Sequence, residues 1–393
     1  MESFGEKLFI LSRNLMIFVG SWQLTDDMSS RNRLSYEMYS YFAFFILSGT
    51  ITSGTIHFFV EMLSYKNYDK GIELFGLNTT LIVMYIKLRT YRSTTVTSLI
   101  KHFIRMTNES GNLNSIAADI VEKKIRYCNF INITVLVLNL AITVYYAING
   151  ILDFKNAENE QDGADSLNHL LYIYYPFQNY IGMVSYIEKI VGIYLGFYNA
   201  ACLTLLNTII VGLVIQIQVL QYELSDYDKL YQRGNEITDS DDLPTILGLN
   251  KLIEKHQNLL SYSSVLNEAL KIPILIEYSV SSISIATILV QILKSSDASF
   301  YIFMVLLVAV ELLFFCLNAH DIVVESLRLG EAVYFSNWYE RDVPTQKSIR
   351  IIMMRSRIPM HVSIGPFGIL NAESLISIFK VAYSYVSLLS GEK

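Results

Sequence analysis

The chain has 393 residues, of which 52% are hydrophobic and only 17% charged, and its net charge is −6. A soluble domain would carry about 25% charged residues, so this composition describes a polytopic membrane protein. The acidic balance argues against a nucleic-acid partner. Six scattered histidines without metal-ligand spacing, and the lack of any phosphate loop or nucleophile elbow, argue against an enzyme and imply no cofactor.

In chain order, residues 1–20 are apolar at 8–11 and 16–19 but interrupted by Arg13 and Asn14, which predicts an amphipathic helix lying at the membrane surface. A first span follows over 36–60, with Tyr36, Tyr39 and Tyr41 at its entrance. The second covers 72–88 and is only moderately apolar. Residues 89–126 read as a basic amphipathic helical stretch, and a third span occupies 127–151. Residues 153–185 form a long acidic and aromatic loop whose length hints at function. The fourth span is 187–214, with its helical pattern running on to 231. After a polar break at 239–244, an amphipathic helix over 249–270 leads past Pro273 into a fifth span, 274–293. A tight turn at 295–297 precedes the sixth span, 300–317. Residues 321–357 are again amphipathic and charged, and a short seventh span covers 373–390. Cys128, Cys202 and Cys316 all fall in apolar stretches, so no disulfide framework is expected.

The seventh segment holds Ser377, Lys380, Ser384, Ser387 and Gly391 at alternating steps of three and four, which places them on one helical face. Ile378, Phe379, Ala382, Val386 and Leu389 hold the other. A polar stripe on a membrane helix turns to protein or to water rather than to lipid. From spacing alone, small-residue packing and pore lining both remain open. Of the 30 Lys and Arg, 22 lie in the N-terminal segment and in the links after spans two, four and six. The positive-inside rule therefore predicts a cytosolic N-terminus and an extracellular C-terminus. That orientation excludes a G-protein-coupled receptor, and Ile125-Arg126-Tyr127 stands at the start of span three where such receptors carry an acidic triad at its end.

The link after span six carries recognisable residues. Glu325-Ser326, Gly330-Glu331-Ala332-Val333-Tyr334, Asn337-Trp338-Tyr339, Lys347, Met353-Met354-Arg355-Ser356-Arg357-Ile358-Pro359, Ser363-Ile364-Gly365, Phe367 and Phe379-Lys380-Val381-Ala382-Tyr383-Ser384 follow one another here. This run resembles the C-terminal signature of insect odorant receptors. Pro176 before Tyr180, Lys87 at the end of span two, and His256 leading to Leu266-Asn267-Glu268 are further marks. The resemblance is specific over 325–384 and topological elsewhere. Insect gustatory receptors are the alternative, as homomeric channels of the same topology, but their Gln-Phe ending is missing after Ala382-Tyr383-Ser384-Tyr385-Val386.

The resemblance implies an all-α subunit of a tetrameric, ligand-gated, non-selective cation channel assembled with a shared odorant co-receptor. The short link after span four marks an odorant-tuning subunit. On this view residues 1–320 form the helical bundle, 321–371 a cytosolic anchor and 372–393 a pore-lining terminal helix. Gly330, Ala332, Tyr334, Trp338 and Arg355 would serve subunit contacts. A small volatile hydrophobe would sit in the outer half of the bundle. Its candidate contacts are Phe75, Asn78, Thr79, Thr143, Tyr146, Ala147, Tyr194, Phe197, Tyr198, Tyr301 and Met304. The implied location is the plasma membrane of an olfactory neuron dendrite.

Overall fold

The computed structural model describes residues 3–23, 30–66, 68–160, 181–226, 243–294 and 299–390. Ten α-helices run through them: α1 (Phe4–Phe18), α2 (Ser30–Val60), α3 (Tyr68–Tyr91), α4 (Thr94–Gly111), α5 (Ser115–Glu160), α6 (Ile181–Ser225), α7 (Leu243–Lys294), α8 (Ser299–Tyr334), α9 (Val343–Ser356) and α10 (Ala372–Ser390). Five of these, α2, α5, α6, α7 and α8, are long and apolar enough to cross a membrane. Helices α3 and α10 stand where the second and seventh spans are expected, completing an all-α seven-helix membrane fold. Of the expected polar break at 239–244, residues 239–242 lie outside the described residues and 243–244 already begin α7; the turn at 295–297 also lies outside them. So do 161–180 of the long loop.

Helix α6 is the axis of the bundle. In its most apolar stretch 94% of residues are buried. Leu205, Leu206, Ile209, Ile210, Leu213, Val214, Ile215 and Ile217 are all enclosed. A helix that is apolar all round has no face to give to water, and burial on every side follows.

The spans are longer than hydropathy suggests. The segment 249–270 and the fifth span are one helix, with Pro273 inside α7. A proline removes one backbone hydrogen bond, and packed membrane helices tolerate that loss through their neighbours. In the same way α8 continues from the sixth span through Tyr334.

Helix α1 departs from its expected surface position. Ser3 and Glu6 form a capping box at its start. The Ser3 backbone N–H, donating to Glu6, holds that carboxyl below its usual range. Leu8, Phe9, Leu15 and Met16 are buried in the main core beside Phe103 and the apolar face of α6. Gly5 N–H donates to Asn108 Oδ1 at 2.6 Å. A Cβ on Gly5 would come within 2.3 Å of the Ile104 carbonyl oxygen. The apolar stripe therefore packs on protein, because α4 offers a matching buried face through Val96, Leu99, Ile100 and Phe103.

Signature residues of the C-terminal link hold the chain to itself. Gly330 stands against α9: a Cβ there would meet Ser356 Cβ at 3.4 Å and the Met353 carbonyl at 3.8 Å. Ser326 Oγ accepts from Met360 N–H at 3.0 Å. Asn267 Oδ1 on α7 accepts from Ser363 N–H at 2.7 Å and from Ser363 Oγ at 2.9 Å. A tight loop then returns through the Ser363–Ile369 bridge. Gly365 (φ 51°) and Gly368 (φ 115°) supply the left-handed backbone this loop needs.

On α4, the His102 ring stacks on Tyr262 of α7 at 3.7 Å. Burial, aided by the Arg105 charge, holds its pKa below the ordinary 6.5. The unfolded chain therefore binds this proton more readily than the folded one. The contribution to stability is full above about pH 6.5 and is lost as pH falls below it. His102→Phe keeps the stack and should remove that part of the acid-side loss. Melting of the micelle-embedded protein at about pH 7.5 and 5.5 checks it.

Candidate functional site

The residues proposed to hold a ligand fall into two groups. Phe75, Asn78 and Thr79 on α3 lie beside α2. Asn78 Nδ2 donates to Thr55 Oγ1 at 2.8 Å, and the Phe75 and Phe58 rings sit 5.9 Å apart. Phe75 is 53% exposed, and Thr79 Oγ1 donates to the Phe75 carbonyl at 2.7 Å.

The second group lies where α5 meets α6. Thr143 Oγ1 donates to the Asn139 carbonyl at 3.0 Å, and Ala147 is buried one turn on. Tyr194 and Tyr198 are edge to face at 5.2 Å. Phe197 meets Phe18 of α1 at 4.9 Å, and Tyr194 OH lies 3.1 Å from Tyr39 OH. These three aromatics thus sit level with the end of α1 and the beginning of α2. Tyr198 is fully enclosed. Tyr301 and Met304 are half-buried near the start of α8. Tyr146 lies on α5, its side chain outside the described residues.

Gly196 sets the closeness of α5 and α6. A Cβ on it would lie 2.6 Å from Thr143 Cγ2. Thr143 is β-branched and cannot swing away cheaply. Gly196→Ala should cost about 1–3 kcal/mol through overpacking. Thr143→Ser, which deletes the offending methyl, should recover most of it. Thermal melts of the single and double variants in micelles measure both effects.

A groove of about 700 Å³ lies between α5, α6 and α8. Lys124, Tyr127, Gln221, Tyr222, Glu325 and Arg328 line it, together with Ala332, and no residue proposed for the odorant does. Lys124–Asp321 (3.3 Å), Arg328–Glu325 (2.9 Å) and Lys255–Glu223 (2.5 Å) form ion pairs at this end of the bundle.

The terminal helix buries little of itself, with Ile376, Val381, Tyr383 and Tyr385 exposed alongside the polar residues. Ile378 and Ala382 are buried against Ile285, Ala286 and Leu312 of α7 and α8. Ser377, Lys380, Ser384 and Ser387 are exposed on the other side, and Gly391 lies outside the described residues. Phe379 is also 39% exposed, at the edge between the two faces.

Of the residues proposed for subunit contacts, Tyr334 is 61% exposed and its neighbour Phe335 79%. Ile351, Met354 and Ile358 add further exposed apolar surface nearby in sequence. Trp338 is half-buried, with the Arg350 guanidinium 5.8 Å from its ring centre. Arg355 donates to the Ile358 carbonyl at 2.9 Å, satisfying backbone just beyond α9. Gly330 serves packing inside the subunit, as its approach to α9 shows.

Sequence reasoning passed over the polar interior. Lys87, counted among the basic residues of a link, is 2% exposed and pairs with Glu277 of α7 at 2.6 Å. Asn139 Nδ2 donates to Glu311 at 2.5 Å and its Oδ1 accepts from Asn199 at 2.9 Å. A second ladder joins Asn132, Asn207 and Asn318, with Tyr127 OH donating to Asn318 Oδ1 at 3.0 Å. The signal for these was available: ionisable and amide side chains inside apolar spans mark function or pairing. The three cysteines are buried and unbridged.

This fold and its polar, hydrogen-bonded interior define a polytopic helical membrane protein. A family model described as "7tm Odorant receptor" matches residues 71–383, and the chain belongs to that family. Among curated proteins it is 25% identical over 190 residues to Odorant receptor 10 of Aedes albopictus, covering 47% of this chain and 48% of that protein. It is 20% identical over 224 residues to Odorant receptor 67c of Drosophila melanogaster, covering 55% and 54%. The chain thus spans about half the length of the curated relatives it matches. Its fold is similar to that of the olfactory receptor OR5 from Machilis hrabei, with TM-score 0.77, 12% identity and 96% of each chain covered. The same receptor in complex with eugenol gives TM-score 0.75 at 13% identity, with 99% of this chain and 97% of that one covered.

Proposed function

We propose that this chain is the odorant-binding subunit of a heteromeric, odorant-gated, non-selective cation channel. Four subunits, including a shared co-receptor, surround a central pore in the plasma membrane of an olfactory neuron dendrite. The N-terminus is cytosolic and the C-terminus extracellular. The observation that carries the reading is the division of α10: Ile378 and Ala382 seat it on α7 and α8, leaving Ser377, Lys380, Ser384 and Ser387 open. In a bilayer such a stripe needs water or a polar partner, and a pore supplies water. The exposed Tyr334, Phe335, Ile351 and Met354 support subunit contact through the anchor, because apolar surface of this extent marks an interface.

The ligand is a volatile hydrophobe with one oxygen-bearing group, such as an ester, alcohol or aldehyde. The receptor of similar fold binds eugenol, a small oxygen-bearing hydrophobe. The enclosed Tyr198 beside Tyr194 offers a polar group in an aromatic setting, which suits a ligand with few polar atoms. Currents recorded from cells expressing the chain with and without a co-receptor, across a panel of volatiles, test the reading. Odorant-evoked current that requires both subunits is expected. Responses confined to acids or amines would overturn the ligand class, and an extracellular N-terminal tag would overturn the topology.

A further inference from the structure

We propose that the buried Lys87–Glu277 ion pair, with the adjoining Tyr278–Ser374 contact, transmits ligand occupancy from the helix bundle to the terminal helix. The proposal rests on the channel reading above. Lys87 Nζ reaches Glu277 Oε2 at 2.6 Å, with the lysine side chain 2% and the glutamate 18% exposed. Two charges taken out of water give little net stability compared with apolar side chains of similar size. Ionisable residues at such depth in a membrane protein are by default functional.

The neighbours of the pair give it a direction. Tyr278, next to Glu277 on α7, donates its hydroxyl to the Ser374 carbonyl in the first turn of α10 at 2.8 Å. Two turns further along α7, Ile285 and Ala286 enclose Ile378 and Ala382. One helix therefore grips α3 through Glu277 and the terminal helix through Tyr278 and Ile285.

Glu311 of α8 belongs to a second polar cluster. It accepts from Asn139, which in turn accepts from Asn199. Thr143, one of the residues proposed for the odorant, donates to the Asn139 backbone carbonyl. Hydrogen bonds thus lead from the α5–α6 contact to Glu311 on α8, and in the proposed link the ion pair stands next in line before the start of α10. A ligand that displaces α5 against α6 changes the field and the position of Glu311. The ion pair answers, and Glu277 cannot move without α7 and the helix seated on it.

The test uses the full chain with its co-receptor, surface labelling and single-channel recording. Lys87→Met/Glu277→Met removes both charges, leaves neither alone, and is the variant suited to reach the surface. At wild-type surface density its maximal odorant-evoked current should fall about fivefold or more, with unit conductance unchanged. Tyr278→Phe should also lower it, and in the triple variant should add less than about twofold, because both sites act through one link. Wild-type current and half-maximal odorant concentration in the double variant would overturn the proposal, as would effects that simply multiply. A wild-type chain with no odorant-evoked current would overturn the channel reading and this link with it. Current in the wild type and an unaffected variant would overturn the link alone.

Discussion

Replacing Asn207 with leucine should destabilise this protein by about 2–4 kcal/mol, the cost of leaving two buried amide groups without partners. Asn207 is the middle rung of a ladder between three helices. Its Nδ2 donates to Asn132 Oδ1 of α5 at 2.8 Å, and its Oδ1 accepts from Asn318 Nδ2 of α8. Asn132 retains its bond to Thr208 Oγ1 at 3.0 Å, and Asn318 retains Tyr127. The leucine deletes one donor and one acceptor and strands the groups that faced them. The site is enclosed, so water does not replace the lost bonds. Leucine fits the volume, which isolates the polar loss from any cavity effect. Once Asn207 is gone, Asn318→Leu should cost less than it does in the wild type, since the two share a bond. Melting temperatures of the single and double variants in lipid nanodiscs give all corners of the cycle. Additive losses would show that the rungs act separately, and an unchanged melting temperature for Asn207→Leu would show that the ladder contributes nothing.

Ser387→Leu should lower the maximal odorant-evoked current by on the order of tenfold, as an apolar constriction that dewets the pore would. The residue lies on the exposed side of α10, in line with Ser377, Lys380 and Ser384. On the proposed reading, an apolar side chain there would line the pore and resist wetting. The odorant concentration for half-maximal current should hardly move, because on the proposed reading the equilibrium residue 387 biases is that of the pore itself. Concentration–response curves from cells expressing each version with the co-receptor separate the two quantities. A full maximal current from Ser387→Leu would place this face of α10 away from the permeation path. On the proposed channel reading, a small polar residue at position 387 would give the pore little closing force, and an apolar gate would fall to the other subunits.

The amphipathic division of α10 was legible because it is a local property. A helix repeats every 3.6 residues, so Ser377, Lys380 and Ser384 share a face whatever surrounds them. Ile378 and Ala382 then bury themselves, as the pattern requires. The spans were legible for the same reason, since runs of apolar residues at bilayer length need no partner to be read. Their ends were not. Pro273 reads as a break, yet α7 runs through it, because the neighbours that compensate for a lost hydrogen bond are distant in sequence. Helix α1 carries an apolar stripe that a lipid surface or a protein groove would satisfy equally. Only the fit of Gly5 against Ile104 decides for the groove.

The candidate ligand site divides in the same way. Tyr194, Phe197 and Tyr198 share a helical face, and spacing alone reveals that. That Phe18 and Tyr39 close over them depends on where the N-terminal segment docks. The sequence by itself determined a seven-span helical membrane protein, its charge asymmetry and the polar stripe of its last helix. Each follows from composition or from a period within one segment. Tertiary structure alone decided that Lys87 is buried against Glu277, that three asparagines join three helices, and that Gly330 and Ser363 brace the subunit from within. Those partners lie on separate helices, and no periodicity in one helix names the residue it will meet on another.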